Sequence, residues 1–275
     1  MSERDGYEHG VPCWVDTWQP DAEAAVRFYR GIFGWDAEDT MPADVDGQHF
    51  MCRLRGRDVA AIASRPSASP PVTAWNTYVW ADDAAATAAK ASEAGGTVVM
   101  EPFDSLDGGR IAVIADSAGA VIGVWQPGAH RGAQLVNEPG AWSMSSLNTR
   151  DPEGASAFYG ALFGWQTESM DVGDGGFAMF RLPGFVGGEP QQPVPRDLVA
   201  TMAPMPEDRF PADVPAHWSI DFWVSDSDAT AELVPELGGK VLAPPYDIPG
   251  VPMRQAVVAD PEGATFSVTM LTVGG

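Results

Sequence analysis

The sequence is poor in cysteine, in lysine and in basic charge. Cys13 and Cys52 are its only thiols and form no CxxC pair, so neither a zinc motif nor a disulfide framework is readable. Sixteen basic residues, two of them lysine, stand against 38 acidic ones, for a formal net charge of −22. A nucleic-acid partner needs a basic face to displace counterions, and an anionic membrane surface repels such a chain, so both partner classes are excluded. No uninterrupted apolar run approaches the ~20 residues of a membrane span. The opening MSERDGYEHG lacks the apolar stretch of a signal peptide. A cytoplasmic protein is the expectation. GxSxG, HExxH, Walker and dinucleotide fingerprints are also missing. What remains is 275 residues with 45% apolar content. That is enough for two packed domains and incompatible with disorder along the whole chain. Ten tryptophans are the unusual surplus.

The chain repeats itself. PDAEAAVRFYRGIFGWDAED from Pro20 matches RDPEGASAFYGALFGWQTES from Arg150, pairing Phe28-Tyr29 with Phe158-Tyr159 and Gly34-Trp35 with Gly164-Trp165. The segments starting at Trp75 and Trp218 form a second matching block, and ADSAGAVIGV from Ala115 matches ADPEGATFSV from Ala259. Three blocks in one order mark a tandem duplication. The halves are read as 8–130 and 140–275, with 131–139 as linker.

Each half reads as two modules of one strand, one helix and three strands. CWVDTW alternates like a strand, Asp21 stands at a helix N-cap, apolar residues follow at helical spacing, and Gly34 ends the helix. HFMCRL and DVAAIA then read as strands. The order recurs with NTYVWA, a helix around 83–94, Gly95-Gly96, TVVM, RIAVIA and AVIGVWQ. The expected fold class is α+β, with four βαβββ modules.

The FYxxxFGW segments and the Asp-x-x-Gly turns at Asp116 and Asp260 resemble the vicinal oxygen chelate superfamily. Its members include glyoxalase I, bleomycin- and fosfomycin-resistance proteins and extradiol dioxygenases. The duplicated order is most similar to glyoxalase-like proteins of actinobacteria. The resemblance covers nearly the whole chain. It implies two domains, each a curved, mostly antiparallel sheet with helices on the convex face. It also implies a divalent metal on the concave face, held by His, Gln or Glu. Carried onto this sequence, the ligand positions read Trp14, Asn76 and Gly123 in one half and Met144, Ser219 and Ser267 in the other. None is His, Asp or Glu. The four His, at 9, 49, 130 and 217, have no ligand spacing. The expectation is no metal and no cofactor.

Strand alternation places Trp14, Asp16 and Trp18 on the concave face of the first half, with Asn76, Tyr78, Trp80, Val121, Gly123 and Trp125. Four indoles around a glycine suggest a slot for a flat hydrophobic or aromatic small molecule. The competing arrangement is a cleft filled by its own rings; the slot is the expectation. Asp16 is the candidate acid/base, with His49 on the neighbouring strand. The second half offers Met144, Ser146, Asn148, Ser219, Asp221, Trp223, Thr265, Ser267 and Thr269, a smaller and more polar face. Arg110 and Arg254 follow Asp104 and Asp247 at equivalent places and could clamp a carboxylate, although an ion pair within the fold suits them better. A Pro/Gly-rich insertion about 183–197 belongs to the second half alone and suits a lid, a flap or a dimer arm. Gly173-Asp-Gly-Gly reads as a turn. Two functions compete. One is metal-independent binding of an aromatic natural product or drug by sequestration. The other is a metal-free tailoring enzyme (isomerase, lyase, cyclase or hydroxylase-like) using Asp16. Four modules in one chain are compatible with a monomer or a homodimer.

Overall fold

A computed structural model describes residues 3–66, 72–105, 108–170, 176–187, 194–208 and 210–272. Residues 173–175 of the expected turn and 188–193 of the insertion lie outside them. The first half folds as β1 (Pro12–Gln19), α1 (Ala22–Phe33), β2 (Asp36–Asp39), β3 (His49–Leu54), β4 (Arg57–Ser64), then β5 (Trp75–Trp80), α2 (Ala84–Glu93), β6 (Thr97–Ser105), β7 (Gly109–Ala115) and β8 (Val121–Pro127). The second half repeats this as β9 (Trp142–Thr149), α3 (Pro152–Phe163), β10 (Gln166–Met170), β11 (Phe177–Arg181), β12 (Leu198–Pro204), then β13 (His217–Trp223), α4 (Ser227–Glu236), β14 (Lys240–Asp247), β15 (Met253–Ala259) and β16 (Thr265–Leu271). The βαβββ order therefore holds four times.

The helix ends form where the side chains dictate. The Asp21 carboxylate accepts from the Ala24 N–H, and that of Asp151 from Gly154, so each satisfies an orphan donor of the first turn. Gly34 and Gly164 end these helices at φ 71° and 76°, in the left-handed region that a side chain disfavours.

Each half makes one eight-stranded sheet. The order is β2-β3-β4-β1-β5-β8-β7-β6 in the first and β10-β11-β12-β9-β13-β16-β15-β14 in the second. Within a module the first and last strands run parallel, as β1 and β4 do, and the modules join where β1 meets β5 antiparallel. The observed class is α+β, as the resemblance implies.

The two sheets meet through their helix-bearing faces, and the packing is crossed. Phe28, Tyr29 and Phe33 of α1 bury themselves with Ile220, Phe222 and Phe266 of the second half. Phe158, Tyr159 and Leu162 of α3 share a core with Val79, Ile114 and Ile122 of the first. Polar relays run across the same seam. Trp75 Nε1 donates to Tyr29 Oη (2.9 Å), which donates to Asp260 Oδ2 (2.9 Å). Trp218 Nε1 donates to Tyr159 Oη (3.0 Å), which donates to Asp116 Oδ2 (3.1 Å). Trp35 and Trp165 donate to the backbone oxygens of Gly140 and Gly10, each 2.7 Å away, so each indole also ties its helix to the start of the opposite half. The segment read as a linker packs against the first half: Leu135 is buried, and the Ala133 and Gln134 N–H groups donate to the carbonyls of Cys13 and Asp58. No described helix is long and apolar enough to cross a membrane.

Candidate functional site

With the helices inside, the opposite face of each sheet is available for a ligand. In the first half, register sets Trp14, Tyr78 and Gly123 in one row, and Asp16 beside Asn76 and Ala61. Trp18 and His49 both align with Ala63, which places His49 on the face of Asp16. The sequence places these residues together correctly, but the rings fill the cleft instead of walling a slot. A Cβ at position 123 would overlap the Tyr78 ring, so the aromatic side chain occupies the space that the glycine leaves. Trp14 packs edge-on against His130 at 4.3 Å, and Trp125 does so at 5.3 Å while its Nε1 donates to the His130 carbonyl. Trp80 lies against Tyr7, under the Arg131 guanidinium. Trp14, Tyr78, Trp80 and Trp125 are all buried; Trp18 and Asn76 are partly so. The physical reason is volume: four large rings on one concave surface, capped from the chain termini of the half, leave each other little space.

Asp16 is correspondingly closed in. Asn76 Nδ2 donates to Oδ1 (2.7 Å) and Tyr78 Oη to Oδ2 (2.8 Å). Burial raises its pKa, against those hydrogen bonds and the nearby His49. His49 itself bonds Thr40 through Nδ1 (2.9 Å). Both carboxyl oxygens of Asp16 thus hold the fold. Gly123→Ala is expected to push Tyr78 away, break its bond to Asp16 and cost about 2 kcal/mol. Thermal melts check this; an unchanged midpoint would mean that the ring has room to move.

The second half differs at the equivalent places. Met144 replaces Trp14, Ser146 replaces Asp16, Asn148 replaces Trp18, Asp221 replaces Tyr78 and Thr269 replaces Trp125. The smaller set leaves a cavity of about 570 Å³. Met144, Ser146, Asp221 and Trp223, all expected from alternation, line it. Asn148 instead donates to Ser219 (3.0 Å) and is not among the lining residues. Phe185, Val194 and Pro195 of the 183–197 insertion and Ile248 and Val251 of the β14–β15 turn also line it. Both loops exceed their first-half counterparts, so the enlargement is confined to this half.

Asp221 has one oxygen occupied and one not. Thr269 Oγ1 donates to Oδ2 at 2.8 Å and Gln255 Nε2 at 3.4 Å, while Oδ1 is enclosed with no hydrogen-bond partner. Burial pushes its pKa up to about 7 against those two bonds. Gln255 and Met253, which the sequence motifs do not single out, follow from alternation along β15. Thr201, bonded to Ser146, follows once β12 is placed beside β9. Arg4 and Tyr7 also line the cavity from the N-terminal segment, where no periodicity marks them.

Arg110 and Arg254 take no part in either cleft. Alternation puts Arg110 on the side of Gln126, whose Oε1 caps α2, and Arg110 pairs with Asp104 at 3.8 Å. Arg254 forks onto Asp228 of α4 (2.6 and 2.8 Å) and reaches Asp247. Each is an ion pair on the helix-bearing side.

The metal implied by the resemblance does not fit the donors present. Gly123 has no donor and lies under Tyr78, and Asn76 gives its amide to Asp16. Met144, Ser219 and Ser267 supply a thioether and two hydroxyls, a poor set for a hard divalent ion. Among the described residues no three His, Cys, Asp or Glu side chains converge.

Comparison with known proteins agrees with this architecture. The model described as glyoxalase/bleomycin resistance protein/dioxygenase superfamily matches residues 14–124, and a glyoxalase-like domain matches 132–269. CFP32 of Mycobacterium tuberculosis, whose name carries a provisional glyoxylase assignment, is 40% identical over 274 residues, covering 98% of this chain and 97% of its own. The anthracycline biosynthesis protein DnrV of Streptomyces peucetius is 34% identical over 279 residues, covering 96% and 94%. Among solved structures, the Mn(II)-bound glyoxalase from Novosphingobium aromaticivorans superposes with a TM-score of 0.62 at 15% identity, covering 95% of this chain and 82% of that one. The 2,3-dioxygenase LapB from Pseudomonas sp. KL28 gives 0.63 at 13% identity, covering 98% and 94%. At such identities these two speak for the fold alone.

Proposed function

Given that the chain belongs to the glyoxalase/bleomycin resistance protein/dioxygenase superfamily, we propose that its second half binds a flat, hydrophobic aromatic small molecule without metal or cofactor. The observation that carries this reading is the cavity of about 570 Å³ between Trp142, Trp223, Phe177 and Phe185. Its size is that of a drug-like ligand site, and its walls are apolar with a few polar groups to orient the occupant. The relative named for anthracycline biosynthesis favours a fused-ring natural product of that class. Sequestration or resistance in the cytoplasm, by a monomer or homodimer, suits a site with so few reactive groups.

A metal-free tailoring step on such a molecule is the second reading. Asp221 favours it, because a cavity carboxyl with one oxygen unengaged can accept or return a proton. Asp16, engaged at both oxygens, is the weaker candidate.

The test is a tryptophan-fluorescence titration with anthracyclines in the presence of chelator. Trp142 and Trp223 line the cavity and should be quenched saturably. Ser146→Trp, which fills the cavity, should abolish quenching, whereas Asp16→Asn should leave it within about twofold. Absence of saturable quenching by any compound, or binding that survives Ser146→Trp, would sink the reading. Turnover of a bound compound that disappears in Asp221→Asn would select the enzyme over the binder.

A further inference from the structure

Two enclosed polar atoms on described residues lining the cavity lack a hydrogen-bond partner, Asp221 Oδ1 and Trp142 Nε1. Asp221 contributes a carboxyl whose Oδ2 is held by Thr269 and Gln255 and whose Oδ1 has no partner. Enclosed polar atoms in folded proteins are nearly always satisfied, so an unpartnered carboxyl oxygen on a residue that lines a cavity calls for a reason, and a donor brought by a ligand is one. Among the described residues, the other charged groups lining the cavity are Glu168 and Arg4. Glu168 is already paired with Arg181 at 2.6 Å. Among the described residues, no basic side chain is paired with Asp221.

We propose that Asp221 is the recognition group for a positively charged nitrogen, so that the ligand class is a flat aromatic molecule carrying an ammonium group. Three observations select a cation over a neutral donor. Among the described residues the carboxyl has no basic partner, and an ammonium supplies one in a site where the interaction is weakly screened. Trp142, Trp223 and Phe177 line the same cavity, and aromatic rings attract cations. The chain as a whole carries −22, a field that concentrates cations around it and disfavours anions. Burial places the ionisation of Asp221 near pH 7, so the site gains its charge as the pH rises through neutrality. The proposal rests on the cavity being the ligand site, and deepens that reading by naming the group that chooses the ligand.

The experiment uses a matched pair of probes on the full chain: 9-(aminomethyl)anthracene, a cation at neutral pH, and 9-(hydroxymethyl)anthracene, its neutral counterpart. At pH 8 the amine is expected to bind at least about tenfold more tightly, equivalent to ~1.4 kcal/mol. The preference should shrink towards unity at pH 5.5, where Asp221 is protonated and the amine is not altered. Asp221→Asn should erase the preference at pH 8. Equal binding of the two probes, a preference independent of pH, or one that survives Asp221→Asn would overturn the proposal and leave the aromatic cavity standing. Failure of both probes to bind would remove the cavity reading itself, and the proposal with it. If the variant does not fold, the pH series on the unaltered protein decides between the same outcomes.

Discussion

Asp260→Ala is expected to lower the melting temperature by roughly 10 °C, from a loss of about 3–5 kcal/mol. The residue sits in a turn of the second half, but its partners belong to both halves. Its Oδ1 accepts from the N–H groups of Glu262 and Ala264 in its own turn. Its Oδ2 accepts from Tyr29 Oη (2.9 Å) and Gln19 Nε2 (2.7 Å) of the first half. Removing the carboxylate leaves four donors short, two of them side chains buried in the seam between the sheets. The Trp75 indole depends on the same chain through Tyr29. Asp116→Ala, on the equivalent turn, should cost less. Its relay receives Tyr159 at 3.1 Å, and the counterpart of Gln19 is Thr149, whose hydroxyl is turned to the Asp151 N–H. Calorimetry on both variants checks the ranking. Equal melting of Asp260→Ala and the unaltered chain would mean that the halves do not hold each other through these relays.

These relays explain why the fold is so legible in the sequence. FYxxxFGW and Asp-x-x-Gly recur because each does two jobs. Within its module Gly34 or Gly164 stops the helix, and Asp116 or Asp260 accepts from the N–H groups of its own turn. Across the seam Tyr29, Tyr159, Trp35 and Trp165 bind the other half. Residues under both local and long-range constraint survive duplication recognisably, and they reveal the four modules without any structure. The open faces carry no such double constraint. Alternation assigns the correct side chains to them, because the period of a strand is two. It does not report whether a face is empty. Trp14, Tyr78, Trp80 and Trp125 resemble the walls of an aromatic slot, yet His130, Arg131 and Tyr7 arrive from outside the repeats and close it. Met144, Ser146 and Asp221 form a plainer surface, and their small volume is what leaves the space. The informative difference is one of size between equivalent positions, Tyr78 against Asp221 and Trp125 against Thr269. The filling of one face and the vacancy of the other depend on strand order and on the tail, which sequence periodicity does not encode.

Asp221→Asn is expected to stabilise the protein at pH 8 by as much as about 4 kcal/mol and to change nothing at pH 4. The sign follows from where the proton resides. Burial raises the folded-state pKa of Asp221 from 3.8 to about 7. Between those values the folded chain keeps a proton that the unfolded chain releases, so stability falls as pH rises through that window. Below it both states are protonated and no penalty exists; above it the full penalty is present. Asparagine cannot ionise, and it fits the contacts. Its oxygen can take the place of Oδ2 opposite Thr269 and Gln255, and its amide stands where Oδ1 has no partner. Burial raises Asp16, Asp116 and Asp260 as well, but they are common to both proteins and cancel in the difference. Urea melts of the two proteins at pH 4, 6 and 8 give the curve, and parallel profiles would show that Asp221 ionises as freely in the folded chain as in the unfolded one. A carboxyl whose charge destabilises the fold at neutral pH, at the wall of the cavity, is a sacrifice of stability of the kind found at functional sites. The same linkage makes a ligand's ammonium group most stabilising where the carboxylate is most costly. A cationic ligand should therefore raise the melting temperature of the unaltered chain more at pH 8 than at pH 5.5, and should lose that advantage in Asp221→Asn.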